Sequence, residues 1–282
     1  MTTHKTIELP AERSPSTDEG EVKFIGNATT LIRFAGFTIL TDPTFLHQGG
    51  FVHLGHGMYA RRNVEPACQP NDLPPLDLCV LSHFHGDHFD QVAIAELDKN
   101  LRIVSTQHAV DALARLGFKN GYALGTWESQ RVVKGNAELV ITAMPARHGR
   151  DHIEHLLPPV NGTLLDFSVA GKHLYRLYIS GDTILYTKLY EIRRLYKDID
   201  LGLFHTGGTT LLGVIVTMTG AQGVKAAEII QPRVAIPIHY NGYSVFLSGL
   251  GDFQRAAAAA DTTVEFKYLK HGESYHFKPR DP

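Results

Sequence analysis

The segment SHFHGDHFD, residues 82–90, sets three histidines and two aspartates within nine positions. One residue separates His83 from His85, so an extended backbone aims both imidazoles to the same side. Asp87 and His88 follow Gly86, which permits a sharp local bend. Imidazole suits zinc, iron and other transition metals, while carboxylate suits harder cations, so the mixture can serve a two-metal centre. A chain with 16 histidines clusters some of them by chance, and a solvated polar loop is the plain alternative. The flanking residues argue against it. LDLCVLS (76–82) is a short apolar run of the kind that forms a buried strand, and QVAIAELDKN carries apolar residues at helical spacing. The cluster therefore belongs on a strand-end loop, where α/β sheets usually place chemistry, with Asp90 capping the following helix.

The rest of the chain reads as elements able to hold such a loop. Short strands are predicted in VKFIGNATTLIRFAGFTILTDP, then a long aperiodic excursion over residues 43–76. LRIVST is a strand and QHAVDALARLGF a helix closed by Gly117. QRVVKGNAELVITAMPA is an antiparallel pair turned at KGN. The second half repeats this organisation, with a hairpin around Ala170-Gly171, an amphipathic helix in YTKLYEIRRLYK, and a strand in IDLGLFHTGG. A helix in TGAQGVKAAEIIQP, a strand in RVAIPIHY, and a last helix and strand in GDFQRAAAAADTTVEF complete it. These alternations imply two similar layered halves in one domain over 21–282, preceded by a loosely ordered arm over residues 1–20.

Composition narrows the class. With 43% hydrophobic and 20% charged residues the chain is globular, and a net charge of −2 gives no field for nucleic acid or anionic membrane. No window reaches the ~20 apolar residues of a membrane span. Cys68 and Cys79 form no disulfide framework, so a reducing cytoplasm is expected.

The run HFHGDH resembles the H-x-H-x-D-H motif of the metallo-β-lactamase superfamily. That resemblance implies an α/β fold, a four-layer αββα sandwich of two similar halves, with a metal site at the edge between its sheets. It also asks for an early Asp, a third His, a bridging Asp and a late His, and Asp42, His148, Asp182 and His239 answer in order. Carried over, His83, His85 and His148 would bind one metal and Asp87, His88 and His239 the other, with Asp182 bridging. Asp42 would orient a ligand imidazole. Two divalent ions, zinc first with manganese or iron as options, would make a bridging hydroxide that attacks an ester-type bond, and Asp87 would accept or steer its proton. LPPLDLCVLSHFHGDHFD, TWESQRV, MPARHGRD, YISGDT and AIPIHY look like the branch with L-ascorbate-6-phosphate lactonase and the phospholipase D acting on N-acylphosphatidylethanolamines. The expected substrate is a small molecule or lipid-like ester, phosphodiester first and lactone a close second. An iron-dependent oxygenase on the same scaffold and a non-catalytic metal-binding protein are the rivals.

Three further features concern substrate. HTGGTTLLGVIVTMTG (205–220) is either core or the apolar lining of a pocket. His205 at its start is weighed as a catalytic donor to an oxyanion or leaving group against a hydrogen-bonded structural histidine. His47, His53, His56, Tyr59, Arg61 and Arg62 in the 43–63 loop, like His152 and His155, are weighed as anion contacts against a solvated surface. A homo-oligomer is the default assembly.

Overall fold

The computed structural model describes residues 5–11, 17–55 and 57–279. Its first half runs β1 (Ile7–Leu9), β2 (Gly20–Gly26), β3 (Thr29–Phe34), β4 (Phe37–Thr41), a hairpin of β5 (Phe51–His53) and β6 (Tyr59–Arg61), β7 (Leu78–Val80), α1 (Gln91–Glu96), β8 (Arg102–Ser105), α2 (Gln107–Arg115) and β9 (Asn120–Ala123). The second half runs β10 (Ser129–Lys134), β11 (Ala137–Met144), β12 (Gly162–Val169), β13 (Lys172–Ile179), α3 (Leu189–Leu195), β14 (Leu201–His205), a hairpin of β15 (Thr210–Leu211) and β16 (Val214–Ile215), α4 (Gly220–Ile230), β17 (Val234–Ile238), α5 (Leu250–Ala259), β18 (Glu265–Phe266) and β19 (Ser274–Phe277).

Two sheets result, ordered β19-β2-β3-β4-β7-β8-β9 and β1-β10-β11-β12-β13-β14-β17-β18. Alternation along the strands makes the layers. In β7, Leu78 and Val80 join a core between the sheets, while Cys79 packs outward with Ala109 and Leu113 of α2. In β14, Leu201 and Leu203 point into the same central core, and Phe204 packs outward with Ile192 of α3 and Ala226 of α4. The four-layer αββα sandwich follows from that double use of each strand.

The two ends of the chain exchange sheets. β1 lies parallel to β10 at the edge of the second-half sheet, and β19 lies antiparallel to β2 in the first-half sheet. The expected loose arm is therefore corrected over Ile7–Leu9, whose Ile7 and Leu9 side chains are buried in the central core. Residues 1–4 and 12–16 of that arm lie outside the described residues. The 43–76 excursion is present, but it contains the β5–β6 hairpin and a short 3-10 turn at Pro70–Asp72.

Asp90 ties this excursion to the motif loop. One carboxylate oxygen accepts from Val92 N and Ala93 N, capping α1 as expected, and the other accepts from Phe45 N and Leu46 N at 2.6 Å each. Four backbone donors depend on one buried side chain. Asp90→Ala should lower unfolding free energy by about 2–4 kcal/mol, read from urea denaturation. A loss below about 0.5 kcal/mol, within the range of an ordinary surface substitution, would contradict this role.

Candidate metal centre

Every residue singled out as a ligand lies at or just beyond a strand end. β7 delivers the motif loop, β11 leads to His148, β13 to Asp182 and β17 to His239. The structure brings together ligand atoms of His83, His85 and His148 within 4.8 Å of one another, and likewise those of Asp87, His88, Asp182 and His239. Among the described residues the remaining group of this kind is Asp42, His88 and His205.

Side-chain and backbone oxygens determine which nitrogen is free in four of the five imidazoles. The His83 Nδ1 lies 2.9 Å from Ser82 Oγ, and the His148 Nδ1–H donates to Val216 O at 2.9 Å. The His88 Nδ1 faces Asp42 Oδ1 at 3.2 Å, while the His85 Nε2–H donates to Leu54 O at 2.8 Å. A nitrogen held by an oxygen fixes the tautomer and leaves its opposite nitrogen as a lone pair for a cation. Asp42 in turn accepts from Ser82 N and Ser82 Oγ at 2.9 and 2.7 Å, the orienting role expected for it.

The free atoms are buried and unpaired. Fourteen buried side-chain atoms make no hydrogen bond among the described residues, and seven of these are His83 Nε2, Asp87 Oδ1, His88 Nε2, His148 Nε2, Asp182 Oδ1 and both His239 nitrogens. Six of the seven expected ligands thus present atoms whose burial is costly unless something positive satisfies them. The donor set fits divalent transition-metal ions.

Burial and charge act oppositely on these groups. Burial pushes His83 well below the ordinary imidazole value, with His88 and His148 adding to it, and takes His148 down to about 4. Burial opposes charge on His88 too, but the Asp182 and Asp87 carboxylates outweigh it and hold that imidazole well above its ordinary value. For Asp87 and Asp182 burial works against the carboxylate, yet the neighbouring His88 and His239 keep both low.

Three supports were not singled out from sequence. Asn27, at φ 57°, donates its amide to Asp87 O and accepts His239 N at 2.8 Å, joining two ligand loops. Asparagine tolerates this left-handed backbone better than most residues, and that preference was the only available signal. Thr217 Oγ1 donates to Asp182 Oδ2 at 2.8 Å, and its neighbour Val216 supplies the carbonyl for His148. The 205–220 segment therefore supports ligands, with Val216 and Met218 buried and Leu212 exposed at its turn. His205 is fully buried: Nδ1 lies 3.2 Å from Ser180 Oγ, and its ring stacks on His88 at 5.8 Å. Burial lowers it to about 3. That position is against the ligand rings, and direct donation to a substrate does not follow from it.

The basic loop is distributed differently from an anion site. Arg62 is buried, donating to Val64 O and lying over the Tyr243 ring, while His47 pairs with Glu65. His56 lies outside the described residues. His53 and His155 instead line a groove of about 650 Å³ that reaches His85 and Gly86. A Cβ on Gly86 would stand 2.4 Å from His53 O, so glycine is needed for the β5–β6 hairpin to approach the motif.

The chain belongs to the metallo-β-lactamase superfamily: residues 38–240 match the family model described as a beta-lactamase superfamily domain. It is a metal-dependent hydrolase of that family. A UPF0173 metal-dependent hydrolase of Archaeoglobus fulgidus is 29% identical over 259 residues, covering 91% of this chain and 99% of its own. One from Pelotomaculum thermopropionicum is 30% identical over 246 residues, covering 82% and 97%. Among solved structures, isothiocyanate hydrolase from Delia radicum gut bacteria superposes with TM-score 0.76 at 20% identity, covering 92% of this chain and 99% of its own. At that identity the likeness speaks for the fold. No helix among the described residues is long and apolar enough to cross a membrane.

The depressed histidines have a pH consequence for the metal-free protein. An imidazole that resists protonation when folded weakens folding as pH falls from 6.5 towards its folded value, which for His148 is about 4. His148 accounts for about 3 kcal/mol over that interval. The raised His88 changes stability only above 6.5, and the two lowered carboxylates only below 3.8. Urea denaturation of chelator-treated protein should show lower stability at about pH 4.5 than at about pH 7. Equal stability at both would contradict the buried, neutral state of these ligands.

Proposed function

We propose that the site hydrolyses an ester-type bond with two divalent ions, zinc by preference, and that the chain from residue 21 onward acts as one catalytic domain. His83, His85 and His148 would hold one ion, Asp87, His88 and His239 the other, and Asp182 would lie between them. Such a pair supplies a water acidic enough to ionise near neutral pH and polarises the acceptor oxygen of the ester. The observation carrying this reading is the set of seven unpaired ligand atoms on six buried residues.

The chain's own residues have separable tasks. Asp42 and Ser82 fix the His88 and His83 rings, and Thr217 and Val216 fix Asp182 and His148. Asp87 Oδ1, which accepts no protein hydrogen bond and lies 3.7 Å from His85 Nδ1, would take up a proton from the attacking water. His205 acts as a positioning residue through its stack on His88. No serine or cysteine nucleophile is required.

Phosphodiester remains the first bond to test and lactone the second, in keeping with the lactonase and phospholipase D branch. The free Cys68 and the buried Cys79 thiol suit a reducing compartment, which supports a cytoplasmic site of action. Turnover of bis(p-nitrophenyl) phosphate or of a lactone panel should vanish on chelation and return with zinc or manganese. Asp182→Ala should lower kcat/KM by more than about a hundredfold while circular dichroism stays native. Full activity in that variant would contradict the bridging role. A single bound iron with oxygen consumption would replace hydrolysis by the oxygenase reading, and a metal-free, inactive protein would leave a non-catalytic one.

A further inference from the structure

The groove beside His85 has a composition that restricts what it can hold. Its floor is the motif loop, with Phe84, His85 and Gly86. One wall is the β5–β6 hairpin, pinned by the His85 bond to Leu54 O and by Gln91 Nε2 donating to Phe51 O at 3.0 Å. The turn Asp151–Leu156 and the prolines that follow it also line the groove, as do Ile94 of α1 and His108 of α2.

Half of its lining residues are apolar, and no Lys or Arg appears among the described lining residues. Its one carboxylate, Asp90, is already committed to four backbone donors. Leu156, 42% exposed, is among the apolar side chains that line it. A volume of about 650 Å³ falls in the range of small-molecule sites. The groove has four histidines but no Lys or Arg, so it carries no permanent positive charge, and its apolar half suits an uncharged apolar group better than a phosphate or carboxylate. His85 is the residue that the groove shares with the candidate centre: Nε2 is bound to the hairpin, and the residue belongs to the group with His83 and His148.

We propose that this groove binds the uncharged apolar substituent of the substrate, the alkyl or aryl group attached to the scissile ester. This rests on the hydrolase reading above and adds the substrate class to it. The anionic or carbonyl part of the ester would lie towards the ligands, and the apolar part would run along Phe84 towards Ile94 between the hairpin and Leu156. The bond broken is the ester bond itself, with water as the co-reactant.

The test uses two homologous series on the metal-loaded protein, γ-lactones of increasing side-chain length and alkyl p-nitrophenyl phosphates of increasing chain length. Isothermal titration with octan-1-ol measures groove binding without turnover. In wild type, kcat/KM should rise about threefold per added methylene until the groove is filled. Leu156→Glu should flatten that rise and weaken octan-1-ol binding at least tenfold. Ile94→Trp should cut it short at a smaller chain length. Leu195→Glu, at a similarly exposed apolar position on α3, should keep the rise. Turnover that is indifferent to chain length, together with no octan-1-ol binding, would overturn the groove and leave hydrolysis standing. Octan-1-ol binding lost in Leu156→Glu, with no turnover on either series, would uphold the groove and overturn the hydrolase reading.

Discussion

Four imidazoles and two carboxylates, all nearly or fully buried, face one another with atoms that make no hydrogen bond. A protein interior does not tolerate that arrangement without positive charge to answer it. Much of the surrounding structure holds these acceptors together against their mutual cost. Ser82, Asp42, Leu54 O and Val216 O each take one imidazole nitrogen, so that the other faces inward. Asn27 and Thr217 fasten the loops that carry Asp87, His239 and Asp182.

The sandwich supplies the rigid frame for this. Strand ends from both sheets deliver the candidate ligands to one edge, and the central core between the sheets fixes the distance between those ends. Part of the cost appears in the backbone: Asp42 and His239 adopt positive φ values of 37° and 59°, which non-glycine residues rarely hold. Such strain persists only where surroundings over-determine it, and here both residues are also tied by backbone bonds, Asp42 N to Val80 O and His239 N to Asn27 O.

Local features of the site were legible in the chain because they depend on neighbours in sequence. The buried strand in the apolar run LDLCVLS, the helical period after Asp90 and the turn at Ala170-Gly171 all formed as expected. The order of the candidate ligands along the chain comes from the resemblance, and the structure gathers those residues into two groups. Features that depend on distant partners were not readable. β1 is three residues long, and nothing in IEL says that it crosses to pair with β10. Val216 and Thr217 lie in a stretch that reads as core or as the apolar lining of a pocket, yet one offers a carbonyl to His148 and the other a hydroxyl to Asp182, both far away in sequence. Arg62, which reads as a surface cation, is one of the largest fully buried side chains.

The central claim is that these residues form a centre for two ions, and metal counting tests it most directly. Purified protein dialysed to equilibrium against micromolar zinc should hold two ions per chain by mass spectrometry under native conditions. His83→Ala and His239→Ala should each hold one, since they remove ligands from different groups. One ion or none in the wild-type chain, or two in both variants, would contradict that claim.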